Sequence, residues 1–310
     1  MMLKDPPVEI TDRLLMLGTS EYPLYVYRGR RSATIFEGGV GAVGPVLLEQ
    51  LGRAGIAADL VRQVVVTHAH PDHVMAVPLL GRVFPGIAVL ASEVAAKTLA
   101  AEKVVAFFRQ VDEAITRSLA QAGRIGPEHR GEAPPDGRIA VDRIIGEGDT
   151  VSVDDETAFV VLATPGHSEC SLSFHEPRQK LLVISDATGY YLPESDWFWP
   201  NYFSDYGAYV GSMKRLAGLG AQVLCLSHNA AIKGAADVRA YFDKAIAATE
   251  AYHARIIAEA KAGRPVRQIA EQLGAEVYAR TQLMSLEFFQ KNCGLLVKLS
   301  LRHEGIAVDK

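Results

Sequence analysis

QVVVTHAHPDHV, residues 63–74, is the stretch from which the rest of the chain is read. QVVV (63–66) is a short, continuous apolar run, the pattern of a strand buried on both faces. THAHPDHV follows it without a spacer, so His68-Ala69-His70-Pro71-Asp72-His73 places three imidazoles and one carboxylate within six residues. A strand end is rigid, and the turn after it can fan the next side chains around a common point. Imidazole suits zinc, iron and nickel, and the carboxylate offsets cationic charge. Nine histidines in 310 residues make three in six positions improbable by chance, so the motif reads as a metal-ligating loop.

Three further apolar strands end in the same way. AFVVLAT leads to Pro165-Gly166-His167, LLVI leads to Ser185-Asp186, and QVLCL leads to Ser227-His228. Singly, each has a bland reading as a solvated loop residue or a turn residue. Four such ends in one chain point to ligands delivered from separate strands, which is how a rigid ligand set is built. His129, His175, His253 and His303 lack this context and read as surface or packing residues. Cys170, Cys225 and Cys293 are too few and too scattered for a disulfide framework and read as buried free thiols, although Cys170 lies only three residues beyond His167.

Outward from the motif, the order is β-rich, β/α, helical, β-rich, β/α, then all-helical. VEIT, RLLML, YPLYVYRG and RSATIFEGG read as strands, 44–55 as a helix, and AVPLLGRVF as helix before the strand IAVLAS. Residues 92–122 have helical spacing without breakers and read as one long helix or two in tandem. After a polar stretch at 123–137, strands return through KLLVISD, residues 208–219 look helical, and the tail reads as helices over 235–262, 265–273 and 280–299. The expected division is a domain at 1–234, with a helical insertion at about 92–122, and a helical cap at 235–310.

The ordered set His-x-His-x-Asp-His, then His, Asp and His resembles the metallo-β-lactamase superfamily over about residues 8–234. The resemblance implies an α+β fold, the αββα sandwich, here with a helical insertion and a C-terminal helical extension. It implies two divalent metal ions, zinc or iron with manganese as a third option. His68, His70 and His167 would hold one metal, Asp72, His73 and His228 the other, and Asp186 would bridge them. Zinc β-lactamases generally lack that bridging carboxylate, so Asp186 is similar instead to glyoxalase II, lactonases and related hydrolases. Two such cations make hydroxide available at neutral pH for attack on a carbonyl carbon, with Asp72 and Asp186 as the catalytic carboxylates. A thiolate leaving group departs without a proton and an amine does not, so thioesters fit better than amides.

YYLPESDWFWPNYFSDYGAY (190–209) carries nine aromatics in 20 residues, both tryptophans among them. Tyr190, Tyr191, Trp197, Phe198 and Trp199, with Phe288 from the tail, are read as walls of an acyl pocket; the competing reading is an anchor for the C-terminal helices. With that segment and the helical tail, the chain resembles the PqsE-like branch, thioesterases acting on 2-aminobenzoylacetyl-coenzyme A. The leading expectation is hydrolysis of an acyl-coenzyme A or aryl thioester. The alternatives are a lactonase or carboxylic esterase, a one-iron oxygen-using enzyme, and a metal-containing ligand-binding or regulatory protein. A net charge of −4 gives no basic groove for nucleic acid and no attraction to an anionic membrane. The first residues lack the apolar core of a signal peptide and no run is long enough to span a bilayer, so a cytoplasmic location is expected. The helical surfaces at 92–122 and 235–299 are read as places for a protein partner or a homodimer interface.

Overall fold

A strand covered on both faces by other layers needs apolar side chains at nearly every position, and the strands of this protein are built that way. In a computed structural model, which describes residues 1–307, the first half runs β1 (Met2–Leu3), β2 (Val8–Glu9), β3 (Leu14–Gly18), β4 (Pro23–Arg28), β5 (Ala33–Phe36), α1 (Val43–Arg53), β6 (Val61–Val65), α2 (Val77–Val83), β7 (Ala88–Ala91), α3 (Glu93–Leu99), α4 (Glu102–Gln121) and β8 (Arg143–Ile144). The second half runs β9 (Thr150–Ser152), β10 (Ala158–Ala163), β11 (Leu172–Glu176), β12 (Leu181–Val183), β13 (Tyr190–Leu192), β14 (Trp197–Trp199), α5 (Tyr206–Ala217), β15 (Val223–Cys225), β16 (Ala231–Lys233), α6 (Ala235–Lys261), α7 (Val266–Thr281) and α8 (Leu286–His303).

The chain divides into two compact units. The first comprises Met1–Ala163, Cys170–Ser185 and Gly220–Val238; the second comprises Thr164–Glu169, Asp186–Leu219 and the chain from Arg239 onward. The first unit contains two seven-stranded sheets, ordered β2-β3-β4-β5-β6-β7-β8 and β1-β16-β15-β12-β11-β10-β9. The first sheet is antiparallel as far as β5 and parallel from β5 to β8. In the second sheet β12 and β15 form the parallel pair, so both strands end at the same edge of the sheet. The sheets share one core: Tyr25, Tyr27, Phe36 and Val65 from one are buried with Phe159, Phe174 and Val183 from the other. The Phe36 ring lies 4.7 Å from that of Phe159 and 5.4 Å from that of Phe174, and Tyr27 meets Phe159 edge-on at 5.4 Å. This is the expected α+β architecture of two packed sheets with helices and a C-terminal helical extension.

The helical insertion is two helices, broken at Ala101, whose extended backbone (φ −90°, ψ 103°) separates α3 from α4. Ser92 caps α3 by accepting from the Ala95 N–H. In the second unit the hairpin β13–β14 pairs Tyr191 with Phe198, and α6, α7 and α8 follow in succession. α7 runs on to Thr281, past the boundary expected at residue 273. At Gly274 a Cβ would lie 2.6 Å from the Gln290 Cα, so its bare backbone lets α8 approach closely. The turn comes at Gln282, which takes the left-handed conformation (φ 50°), and Ser285 then caps α8 by accepting from the Phe288 N–H at 3.2 Å. Among the described residues, no helix is long and apolar enough to cross a membrane.

Candidate metal centre

β6 ends at Val65, and the chain enters a loop clamped by one acid. Glu37, at the end of β5, is 2 % exposed. The Thr67 hydroxyl donates to its Oε1 at 2.7 Å and the His73 Nδ1–H donates to its Oε2 at 2.8 Å, so the two ends of the histidine loop are tied to one carboxylate. The His73 N–H closes the turn Pro71–His73 on the His70 carbonyl at 3.0 Å, and the Ala69 N–H donates to the Cys170 sulfur at 3.3 Å. Cys170 thus supports the loop through the Ala69 backbone; all three cysteines are buried thiols outside any disulfide.

The result in the first unit is a convergence of ring nitrogens. His68 Nε2 lies 3.0 Å from His70 Nδ1, and the His68 ring is 4.1 Å from that of His73. His228, delivered by the end of β15, brings its Nε2 to 3.9 Å from Asp72 Oδ2, and His73 Nε2 is 3.4 Å from the same oxygen. One ligand atom each from Asp72, His73 and His228 lies within 4.8 Å of the others, a spacing that suits a single cation. Ser227 and Tyr25 hold the strand end in place, the first donating to the Ile184 carbonyl at 3.1 Å and the second to the Leu226 carbonyl at 2.7 Å.

The second unit carries His167 and Asp186, whose Nε2 and Oδ2 atoms are 3.3 Å apart and almost wholly buried. Gly166 sets the turn before His167. Its carbonyl accepts from the Ser204 and Asp205 N–H groups at 3.0 and 3.1 Å, while Ser212 donates to the Pro165 carbonyl at 2.7 Å.

Three imidazole tautomers follow from acceptor-only partners. His73 Nδ1 faces the Glu37 carboxylate, His167 Nδ1 the Asn201 carbonyl at 2.7 Å, and His228 Nδ1 the Glu21 carbonyl at 2.8 Å. Neither a carbonyl nor a carboxylate donates, so each Nδ1 carries a proton, and in the neutral ring the lone pair is then on Nε2, the form a divalent cation requires. His68 Nδ1 meets two hydroxyls, Ser185 at 2.8 Å and Thr67 at 3.2 Å, with its Nε2 toward His70. The donor set fits divalent metal. Glu37, the Glu21 and Asn201 carbonyls and Ser185 were not singled out as partners in the sequence, where the one available signal was a lone acid, Glu37, ending the apolar strand ATIF.

Replacing Glu37 with Gln keeps the shape but lets the side-chain oxygen satisfy only one of the two donors. Glu37→Gln is therefore expected to weaken zinc binding by about 10- to 100-fold in a chelator competition titration. Equal affinity would show that the clamp does not orient His73.

Asp112 on α4 is a second buried acid near this loop, 6 % exposed, accepting from the Gly41 N–H at 2.7 Å. Burial raises its carboxyl pKa from the ordinary 3.8 to about 6; the Gly41 bond opposes the rise and the charge of Asp72 adds to it. An acid whose pKa is raised by folding holds its proton more tightly in the folded chain. The cost of ionising it is absent below the unfolded pKa and complete above the folded one. In protein stripped of metal, Asp112→Asn is expected to raise stability by roughly 2–3 kcal/mol at pH 7.5, with the gain shrinking to about 1 kcal/mol at pH 4.5. Urea denaturation at the two pH values checks this, and a gain that does not shrink would contradict it.

The aromatic segment forms the hairpin β13–β14 and packs on the tail helices. Tyr191 and Phe198 lie 5.3 and 5.4 Å from the Tyr241 ring of α6, Trp199 meets Phe289 of α8 at 5.4 Å, and the Arg280 guanidinium sits 5.0 Å over Trp197. Tyr190, Tyr191, Phe198 and Trp199 are buried, whereas Trp197 and Phe288 are half-buried. Phe288 stands edge-on to Phe289 at 5.6 Å.

Residues 23–228 match the family model described as the metallo-beta-lactamase superfamily. Among solved structures, the metallo-beta-lactamase family protein TTHA1429 from Thermus thermophilus is similar at 20% identity and TM-score 0.60, with 98% of this chain and 93% of that one covered. BJP-1, a subclass B3 metallo-beta-lactamase of Bradyrhizobium japonicum, is similar at 18% identity and TM-score 0.57, covering 84% and 97%. An archaeal metallo-beta-lactamase superfamily protein from Sulfolobus tokodaii is similar at 19% identity and TM-score 0.55, covering 79% and 84%. At these identities the likeness speaks to the fold alone.

Proposed function

The chain belongs to the metallo-beta-lactamase superfamily, and we propose that it is a dinuclear-metal thioesterase of the PqsE-like or glyoxalase II-like kind. His68, His70 and His167 are assigned to one metal and Asp72, His73 and His228 to the other, with Asp186 shared. The observation that carries this reading is the set of three imidazoles, His73, His167 and His228, each committed through Nδ1 to an acceptor and so offering Nε2 as ligand.

When bound, two divalent cations supply Lewis acidity toward a carbonyl oxygen and make hydroxide available at neutral pH. The protein's own contribution is positional and electrostatic. Glu37, through Thr67 and His73, keeps the loop from relaxing when the ligands are drawn together. Asp72 and Asp186 bring two negative charges to a set otherwise made of neutral imidazoles, which limits the net positive charge to be buried. Asp72, the more exposed of the two acids, is assigned to orienting the water that attacks. Beyond the two carboxylates assigned as ligands, the seven residues include no acid to protonate a leaving group, and a thiolate, with a pKa of about 8.5, needs none. This favours thioesters over amides.

For the acyl group we assign a pocket walled by Tyr190, Tyr191, Trp197, Phe198 and Trp199 with Phe288, which suits a flat or aromatic acyl chain. The half-buried Trp197 and Phe288 are its accessible members. Thiol release from aliphatic, β-ketoacyl and aromatic acyl-coenzyme A thioesters, with lactones and simple esters as parallel arms, tests the reading in metal-loaded protein. Release from the thioesters, fastest with aromatic acyl groups, is the expected result. Turnover of lactones alone would make the protein a lactonase, and none in any arm would favour a ligand-binding role.

A further inference from the structure

The helical insertion holds a cleft that the proposed chemistry does not use. It measures about 500 Å³ and lies in the first unit between α4 and residues 126–133, with Met75, two residues past His73, in its lining. α4 also packs against the turn Pro71–His73, so the cleft adjoins the histidine loop. One face of α4 lines it: Arg109, Asp112, Glu113, Thr116 and Arg117 recur at spacings of three, four, seven and eight residues. Arg130 lines it from the other wall.

The charges here are unevenly paired. Glu132 is taken by Arg82, whose guanidinium donates to both of its oxygens, and Asp112 is buried on the Gly41 N–H. Arg130 donates only to the Pro127 carbonyl, and Arg109 and Arg117 form no ion pair among the described residues. Glu113 lines the cleft from the same helix face, exposed and in no ion pair among the described residues. Guanidinium groups lining one cleft, with most of their donors uncommitted, are suited to bidentate recognition of phosphate oxygens.

We propose that this cleft is an anion subsite, in which Arg109, Arg117 and Arg130 take the phosphate groups of a phosphorylated thiol carrier whose thioester lies at the histidine loop. The inference rests on the thioesterase reading and names the part of the substrate that the aromatic residues do not recognise. Phosphate chemistry has two sources, a carrier tail and free inorganic phosphate, and the test separates them. Coenzyme A and inorganic pyrophosphate are titrated calorimetrically into metal-loaded wild type, Arg109→Ala/Arg117→Ala and Arg130→Ala, with metal content and thermal midpoint as checks of folding. Coenzyme A affinity is expected to fall about tenfold or more in the double variant, to weaken with added salt, and to be competed by pyrophosphate. Because these titrations need no turnover, they stand even if the panel of thioesters is not hydrolysed. Coenzyme A binding that is unchanged in the arginine variants would overturn the proposal. So would wild type that binds pyrophosphate but not coenzyme A, which would assign the cleft to free phosphate.

Discussion

Asp186→Asn is expected to lower kcat/KM on the best thioester by at least about 1000-fold and to cut the bound metal from two ions per chain toward one. The argument is one of charge and geometry. Asp186 is 4 % exposed and its Oδ2 stands 3.3 Å from His167 Nε2. The amide keeps the volume but carries no charge, so a cation there would be left beside neutral donors in a poorly solvated setting. One of its two terminal atoms also becomes a donor and can no longer serve as a ligand. Steady-state kinetics with metal analysis of the same sample measures both effects. An Asn variant within tenfold of wild type and still holding two metals would remove Asp186 from its assigned place.

Gly166→Ala is expected to cost more than about 3 kcal/mol of stability and to abolish activity in whatever folded protein remains. Gly166 has φ +122°, a conformation open to glycine and strained for any L side chain. Space is as restrictive as the dihedral: a Cβ would lie 2.3 Å from both the backbone N and the Cα of Tyr209. Tyr209 is fully buried in α5 and its hydroxyl accepts from the Asn201 N–H at 3.3 Å, so neither partner can retreat without disturbing the segment whose Asn201 carbonyl orients His167. Denaturant unfolding and soluble yield measure the first effect, and thiol release from the best thioester measures the second. A variant of near-native stability would mean that the turn at Thr164–Glu169 can be rebuilt.

These two residues also mark what could be read from the sequence. His68, His70, Asp72 and His73 were legible because four potential ligands follow a buried strand with no spacer, and His167, Asp186 and His228 repeat that strand-end context. The two-sheet fold came from the same strands, together with the family resemblance their order carries. What could not be read depends on contacts between distant residues. Glu37 meets His73 across 36 positions and Asp112 meets Gly41 across 71, and neither pairing leaves a local pattern. The close helix approach at Gly274 was equally hidden, since it depends on the position of Gln290, 16 residues further on. The aromatic run at 190–209 was visible as composition, whereas its folding into a hairpin against Tyr241, Phe289 and Arg280 required the tail helices to be in place.

The proposed dinuclear centre is tested most directly by the number of metal ions per chain, determined by elemental analysis after dialysis against limiting zinc or iron, for wild type and for His228→Ala. Two ions in wild type and one in the variant, with thioester hydrolysis lost alongside the second ion, is the predicted result. A wild-type protein that binds one ion at most and is fully active with it would contradict the two-metal account.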